Sequence, residues 1–97
     1  MADKTVLRNA SDLLTTFGVR EFDIHKAEDR YLLRSIRMHG VQMPVVISPS
    51  PDGDLVIDGH RRVGAIIYLQ RSLIETGPVP CVYQDMKVLT NNPYEFF

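Results

Sequence analysis

Residues 55–62 read LVIDGHRR, and residues 63–69 continue VGAIIYL. Leu55, Val56 and Ile57 are apolar and two of them β-branched, which suits a short strand. Asp58 and Gly59 turn the chain. Val63, Ile66, Ile67, Tyr68, Leu69, Leu73 and Ile74 then cover a wide helical arc, which predicts a central packing helix over 61–74. Gly77 and Pro78 end it. Gly64 lowers helix propensity and predicts a close approach of this helix to a sheet.

The junction places Arg61 and Arg62 where a helix leaves its first N–H groups unpaired and carries partial positive charge. The macrodipole disfavours each cation there by about 0.3–1 kcal/mol. A bound anion reverses that penalty, and a planar guanidinium matches phosphate oxygens. Gly59 permits the sharp turn and a close ligand. The plainer reading is a solvated face, or arginines paired with Asp52, Asp54 or Asp58. Asp58 is also a candidate cap for the helix, or a partner orienting His60 as an acid/base pair. The turn lacks the long glycine-rich loop and Lys-Ser/Thr of a P-loop.

Upstream, Ala27, Tyr31, Leu32 and Ile36 fall on one side of a helix predicted over 26–39. Glu28 and Asp29 open it, and Arg37 and His39 close it, as the macrodipole favours. Gly40 stops it and Pro44 prevents continuation. Arg30, Arg34 and Arg37 form a strip on another side, either a solvated face or a contact for a partner or nucleic-acid phosphate. Residues 45–48 (VVIS) read as a strand that forms a hairpin with 55–57 across the turn at 49–54. The apolar run in each predicts burial on both faces. Residues 79–83 (VPCVY) read as a last strand, with Pro80 at a sheet edge or near the strand's start.

Residues 19–24 (VREFDI) suit an extended segment, and 12–17 (DLLTTF) a short strand or helical turn. Residues 1–12 are mostly polar and predict a partly mobile lead. Tyr94, Phe96 and Phe97 predict a tail folded over a sheet edge or an apolar patch for a partner. The order of elements is extended segment, helix, hairpin, helix, strand. It predicts one small α+β domain over 1–97, with a core over about 5–86 and a tail over 87–97.

The chain has 97 residues, 44% hydrophobic and 24% charged, which suits one globular domain with a modest core. A net charge of −1 gives no general support for nucleic-acid binding. The single Cys81 allows no internal disulfide and suits a reducing compartment; a buried, inert thiol is its expected role. No apolar run reaches the roughly 20 residues of a membrane span, so a cytoplasmic protein without membrane contact is expected. His25, His39 and His60 show no metal-ligand spacing.

Taken together, LLRSIRMHG, GVQMPVVIS, LVIDGHRRVGAI and PVPCVY resemble, in this order, the N-terminal domain of the ParB partition proteins. That family has a Ser-Ile helix ending in Gly, a Gln-Pro segment and strand, Gly-Glu-Arg-Arg opening a helix, and an Ile-Pro strand. The resemblance spans about residues 5–86 and implies a ParB/sulfiredoxin-like fold, a short mixed sheet packed against two main helices.

The resemblance implies a nucleoside triphosphate, CTP or ATP, with or without Mg2+. Its phosphates would lie at Gly59, His60, Arg61 and Arg62. The segment Gly40, Gln42, Met43, Pro44 would lie beside it, and Arg20 matches a family arginine loosely. His60 stands where ParB has glutamate, and Met43 where it has glutamine, with Gln42 one place early. Sulfiredoxin chemistry needs a cysteine in the turn, and this chain has His60 there. ParB proteins continue into a helical region and a helix-turn-helix that reads DNA.

The leading expectation is a nucleotide-binding switch or adaptor, with DNA partition or regulation as a context. A weak NTPase, nuclease or phosphoryl-transfer enzyme is an alternative, with Asp58 and His60 as its candidate catalytic groups. A non-catalytic interaction domain that has lost the ligand is another. Expected partners are the nucleotide, a protein partner or a second copy, and DNA as the weaker option.

Overall fold

The computed structural model describes residues 5–15 and 20–84. The expectations for Phe17, Gly18 and Val19, and for Tyr94, Phe96 and Phe97, lie outside these residues. Four strands form one mixed sheet: β1 (Val6–Arg8), β2 (Val45–Ser50), β3 (Gly53–Asp58) and β4 (Val79–Tyr83). Two helices accompany it, α1 (Ala27–His39) and α2 (His60–Arg71), with a single 3-10 turn over Ala10–Asp12. The strand order is β1-β4-β2-β3. The hairpin β2–β3 is antiparallel, β2 and β4 are parallel, and β1 closes the other edge antiparallel to β4.

Two expectations for the strands are corrected. The polar lead contains β1, which a three-residue length hides from any periodicity; its place comes from the pairing of Val6 with Cys81. Pro80 is the second residue of its strand, near the start as one alternative had it, while the edge alternative fails because β4 is internal, between β1 and β2. Proline is tolerated there because pairing with β2 begins one residue later, at Cys81.

The hairpin also buries one face rather than two. Val45 and Ile47 of β2 and Val56 of β3 are fully buried, while Val46 and Leu55 are half-buried and Ile57 is exposed. Both helices contribute to the single core against this face, and no helix among the described residues covers the opposite one. Each fully buried Val or Ile contributes about 1.5–3 kcal/mol.

Helix α2 packs against α1, the 3-10 turn and β2, and buries Val63, Ala65, Ile66 and Leu69. It is the central packing helix that its apolar arc predicts. Gly64, however, faces a loop and not the sheet: a Cβ there would lie 2.6 Å from the Cβ of Phe22. The ring of Phe22 then reaches Tyr68 one turn along α2, with centroids 5.6 Å apart.

The helix stops at Arg71, ahead of the expected Ile74. Leu73 takes φ 62°, the Ile74 N–H donates to the Leu69 carbonyl and the Leu73 N–H to that of Gln70. This is a Schellman cap with leucine where glycine is usual. The left-handed region costs a non-glycine residue about 1–2 kcal/mol, and Leu73 is 94% exposed, so packing returns little. Leu73→Gly is expected to stabilise the fold by about 0.5–1 kcal/mol after glycine's own entropy cost. Urea unfolding checks this; an unchanged or lower midpoint counts against the cap assignment.

Candidate functional site

The β3–α2 junction turns on Gly59, whose φ of 113° suits glycine. A Cβ there would meet Val45 Cγ2 at 3.0 Å, so the turn is pressed against β2 as well. Gly59 is the N-cap of α2 and no side chain caps the helix. Asp58 is therefore not the cap. Its carboxylate is 72% exposed and lies 3.9 Å from the Arg62 guanidinium. Asp54, another carboxylate of the hairpin, is taken by Arg8 at 3.0 Å and by the Tyr83 hydroxyl at 3.2 Å.

A cleft of 340 Å³ opens at this end of α2. Arg20, Asp58, Gly59, His60, Arg61 and Arg62 line it, with Leu32 and Ile57 as its apolar wall. The tertiary structure thus gathers Arg20, from a segment far upstream, with the four residues of the turn. His60 is buried at 7% exposure.

The 40–44 segment stands differently. Its Met43 and Pro44 carbonyls accept hydrogen bonds from Arg62 Nη1, at 3.3 and 3.1 Å. The side chains of Gln42 and Met43 are exposed, and Gly40 lines a separate cavity on the other flank of α1. Arg62 is what ties this segment to the turn.

The residue that organises the cleft is Asp29, which sequence reasoning placed only as a first-turn acid. It is fully buried. Arg61 Nε donates to Oδ1 at 2.7 Å, and Arg20 Nη1 and Nη2 donate to Oδ1 and Oδ2 at 3.3 and 3.1 Å. The Asp23 backbone N–H completes the shell at 2.7 Å. One carboxylate thus holds two guanidinium groups from separate segments. Asp29 falls on the stripe it shares with Leu32 and Ile36, at helical spacings of three and four. A charge on an apolar stripe is the signal that marks it, because a buried carboxylate needs partners.

Burial pushes the Asp29 carboxyl up, but the Asp23 N–H, Arg61 and Arg20 outweigh it and hold it below the usual carboxylate range. A lowered folded pKa stabilises the fold above the ordinary value of about 3.9 and loses that contribution as pH falls below it. Urea midpoints are therefore expected to drop below about pH 4, and the drop should be shallower in Asp29→Asn. Equal acid dependence in the two proteins would show that Asp29 carries none of it. Within internal strand β4 Cys81 is fully buried, and burial pushes its thiol up. This keeps it protonated and poorly reactive.

No protein-family model matches the chain, and no curated protein matches it by sequence. Solved structures do match. The C-terminally truncated chromosome-partitioning protein ParB from Caulobacter crescentus, complexed with CTP-γ-S, superposes with a TM-score of 0.64 at 19% identity. The match covers 97% of this chain and 56% of that one, so the chain spans little more than half of the ParB structure. Sulfiredoxin from Arabidopsis thaliana gives a TM-score of 0.65 at 18% identity, covering 90% of this chain and 93% of that one. The fold is that of the ParB and sulfiredoxin domains. No helix among the described residues is long and apolar enough to cross a membrane.

Proposed function

We propose that the domain binds a nucleoside triphosphate, CTP or ATP, with its phosphates at the uncapped N-terminus of α2. The observation that carries this reading is the cleft that brings Arg20, Arg61 and Arg62 to the Gly59 turn, where the N-cap residue is a glycine with no side chain to cap the helix. Three arginines there face three carboxylates, Asp29, Asp58 and, 3.8 Å from Arg20, Glu28, so the attraction for phosphate rests on directed donors rather than on excess charge. Backbone donors and guanidinium forks are the groups phosphate oxygens recruit. Leu32 and Ile57 offer an apolar wall for a ribose or base edge. The CTP-γ-S in the ParB structure supports the choice of ligand. Asp58 is the cleft's one exposed carboxylate, so Mg2+ at this site would rest mainly on phosphate oxygens.

The arrangement suits a switch. Asp29 orients Arg20 and Arg61 from within α1, and an arriving phosphate must share or recruit them. Occupancy of the cleft is thereby coupled to the position of α1. Isothermal titration with CTP, ATP and GTP, with and without Mg2+, tests the reading. Micromolar to submillimolar binding of CTP or ATP is expected; no heat with any triphosphate at millimolar concentration, from folded protein, overturns it.

The same geometry favours a second reading. Arg20 and Arg61 already have Asp29, and Arg62 already has the Met43 and Pro44 carbonyls. A domain that kept the fold as an interaction module, with the arginines as internal ties, has this appearance too. The titration separates the two.

A further inference from the structure

Helix α1 has a second flank. Asp29 and Leu32 face the arginine cleft, whereas Arg30, Leu33 and Arg37 face away from it. On that side a groove of 320 Å³ runs between α1 and the end of α2, floored by Leu33, Leu69 and Ile74 and flanked by Arg30, Arg34 and Arg37. A second cavity, of 230 Å³, shares Arg37, Leu69 and Ile74 with it and extends the floor to Val41 and Pro78. The two cavities adjoin at Arg37, Leu69 and Ile74, with arginines along one bank.

Among the described residues this bank carries more positive than negative charge. Arg34 and Arg37 make no side-chain hydrogen bond or ion pair with the described residues. Among the described residues Arg30 donates only to the Ile24 carbonyl, at 3.0 Å, which fixes it without neutralising it. Glu75 is the one acid among the described residues that lines either cavity. Beyond the arginines, Tyr31 and Met38 stand 73% and 68% exposed on the same helix. Arginine, tyrosine and methionine are the residue types enriched where protein partners dock.

We infer that this depression is a docking groove for an acidic, amphipathic peptide segment of a partner protein. Its carboxylates would meet Arg30, Arg34 and Arg37, spaced to match one face of a helix or a run of alternate acids. One or two of its apolar side chains would fill the floor over Leu33, Leu69 and Ile74. An apolar floor distinguishes this from a nucleic-acid surface, where phosphate contacts require none, and the chain's net charge of −1 gives duplex DNA no general attraction. The groove lies on the opposite flank of α1 from the phosphate cleft, so it stands whether or not a nucleotide binds.

Selection of a short random-peptide display library on the intact chain, followed by anisotropy titration of the enriched peptides, tests the inference. Enriched sequences are expected to combine acidic residues with at least one large apolar residue. Their affinity should fall at least tenfold in Arg34→Glu/Arg37→Glu, as the loss of charge-assisted hydrogen bonds implies. These positions have no partner among the described residues, so the fold should be retained, and nucleotide titration of the same variant should be unchanged. No enrichment, enrichment without acidic residues, or binding that survives the charge reversal each overturns the proposal. So does a DNA duplex that binds the wild type and is released by the same variant, because the strip would then be a phosphate contact.

Discussion

Arg61→Ala/Arg62→Ala is expected to lower affinity for CTP or ATP by at least about a hundredfold, to below detection in a calorimetric titration. Each charge-assisted hydrogen bond to phosphate is worth about 1.5–3 kcal/mol, and two such groups are removed from one pole of α2. The double variant must be shown to fold, because both side chains also act within the domain. Arg61 is one of the two guanidinium partners of buried Asp29, and Arg62 ties the 40–44 segment to the turn. Circular dichroism at the titration temperature settles that point. Arg61→Lys/Arg62→Lys is a useful companion: it keeps the charge and loses the planar fork, so binding should be intermediate. Unchanged affinity in the folded alanine variant would place the phosphates elsewhere and leave the arginines as internal ties.

Gly64→Ala should destabilise the domain by about 1–3 kcal/mol, although alanine is the better helix former by about 1 kcal/mol. Propensity loses because the new methyl would stand 2.6 Å from the Cβ of Phe22, an atom fixed to the backbone that cannot swing aside. Either the loop carrying Phe22 moves off α2 or the helix shifts. The segment concerned also supplies Arg20 and the Asp23 N–H to Asp29. In a domain of this size the loss corresponds to a fall in Tm of several degrees per kcal/mol. A scanning calorimeter measures it. A rise in Tm would mean that the contact relaxes freely and that helix propensity governs the site.

Much of the domain was legible before its structure. The Leu55–Ile57 strand, the Asp58-Gly59 turn and the helix after it are local, and so are the capping glycine at Gly40 and the hairpin signal around Asp52 and Gly53. Their residues are neighbours in the chain, and φ preferences and apolar spacing act over that range. The resemblance carried by GVQMPVVIS and DGHRRVGAI added the fold. The cleft was half legible: the turn named Gly59, His60, Arg61 and Arg62, and only the loose match to Arg20 pointed beyond it.

What local pattern does not encode is which distant group meets which. The strand over Val6–Arg8 exists because Cys81 offers it a partner 75 residues on, and the hairpin buries one face because both helices contribute to the single core against it. The helix ends after Arg71 with Leu73 at positive φ, against leucine's preference, as the Ile74 N–H bonds the Leu69 carbonyl and both residues line one cavity. Asp29 is the sharpest instance. In the sequence it is one of two acids opening a helix; in the fold it is sealed from water and holds Arg20 and Arg61 at sequence separations of nine and 32. Local pattern along the chain sets the order of the elements and puts two arginines at the start of α2. Tertiary packing decided their charge environment, because a buried carboxylate must be paired and only the docking of α1 beside α2 chooses with whom.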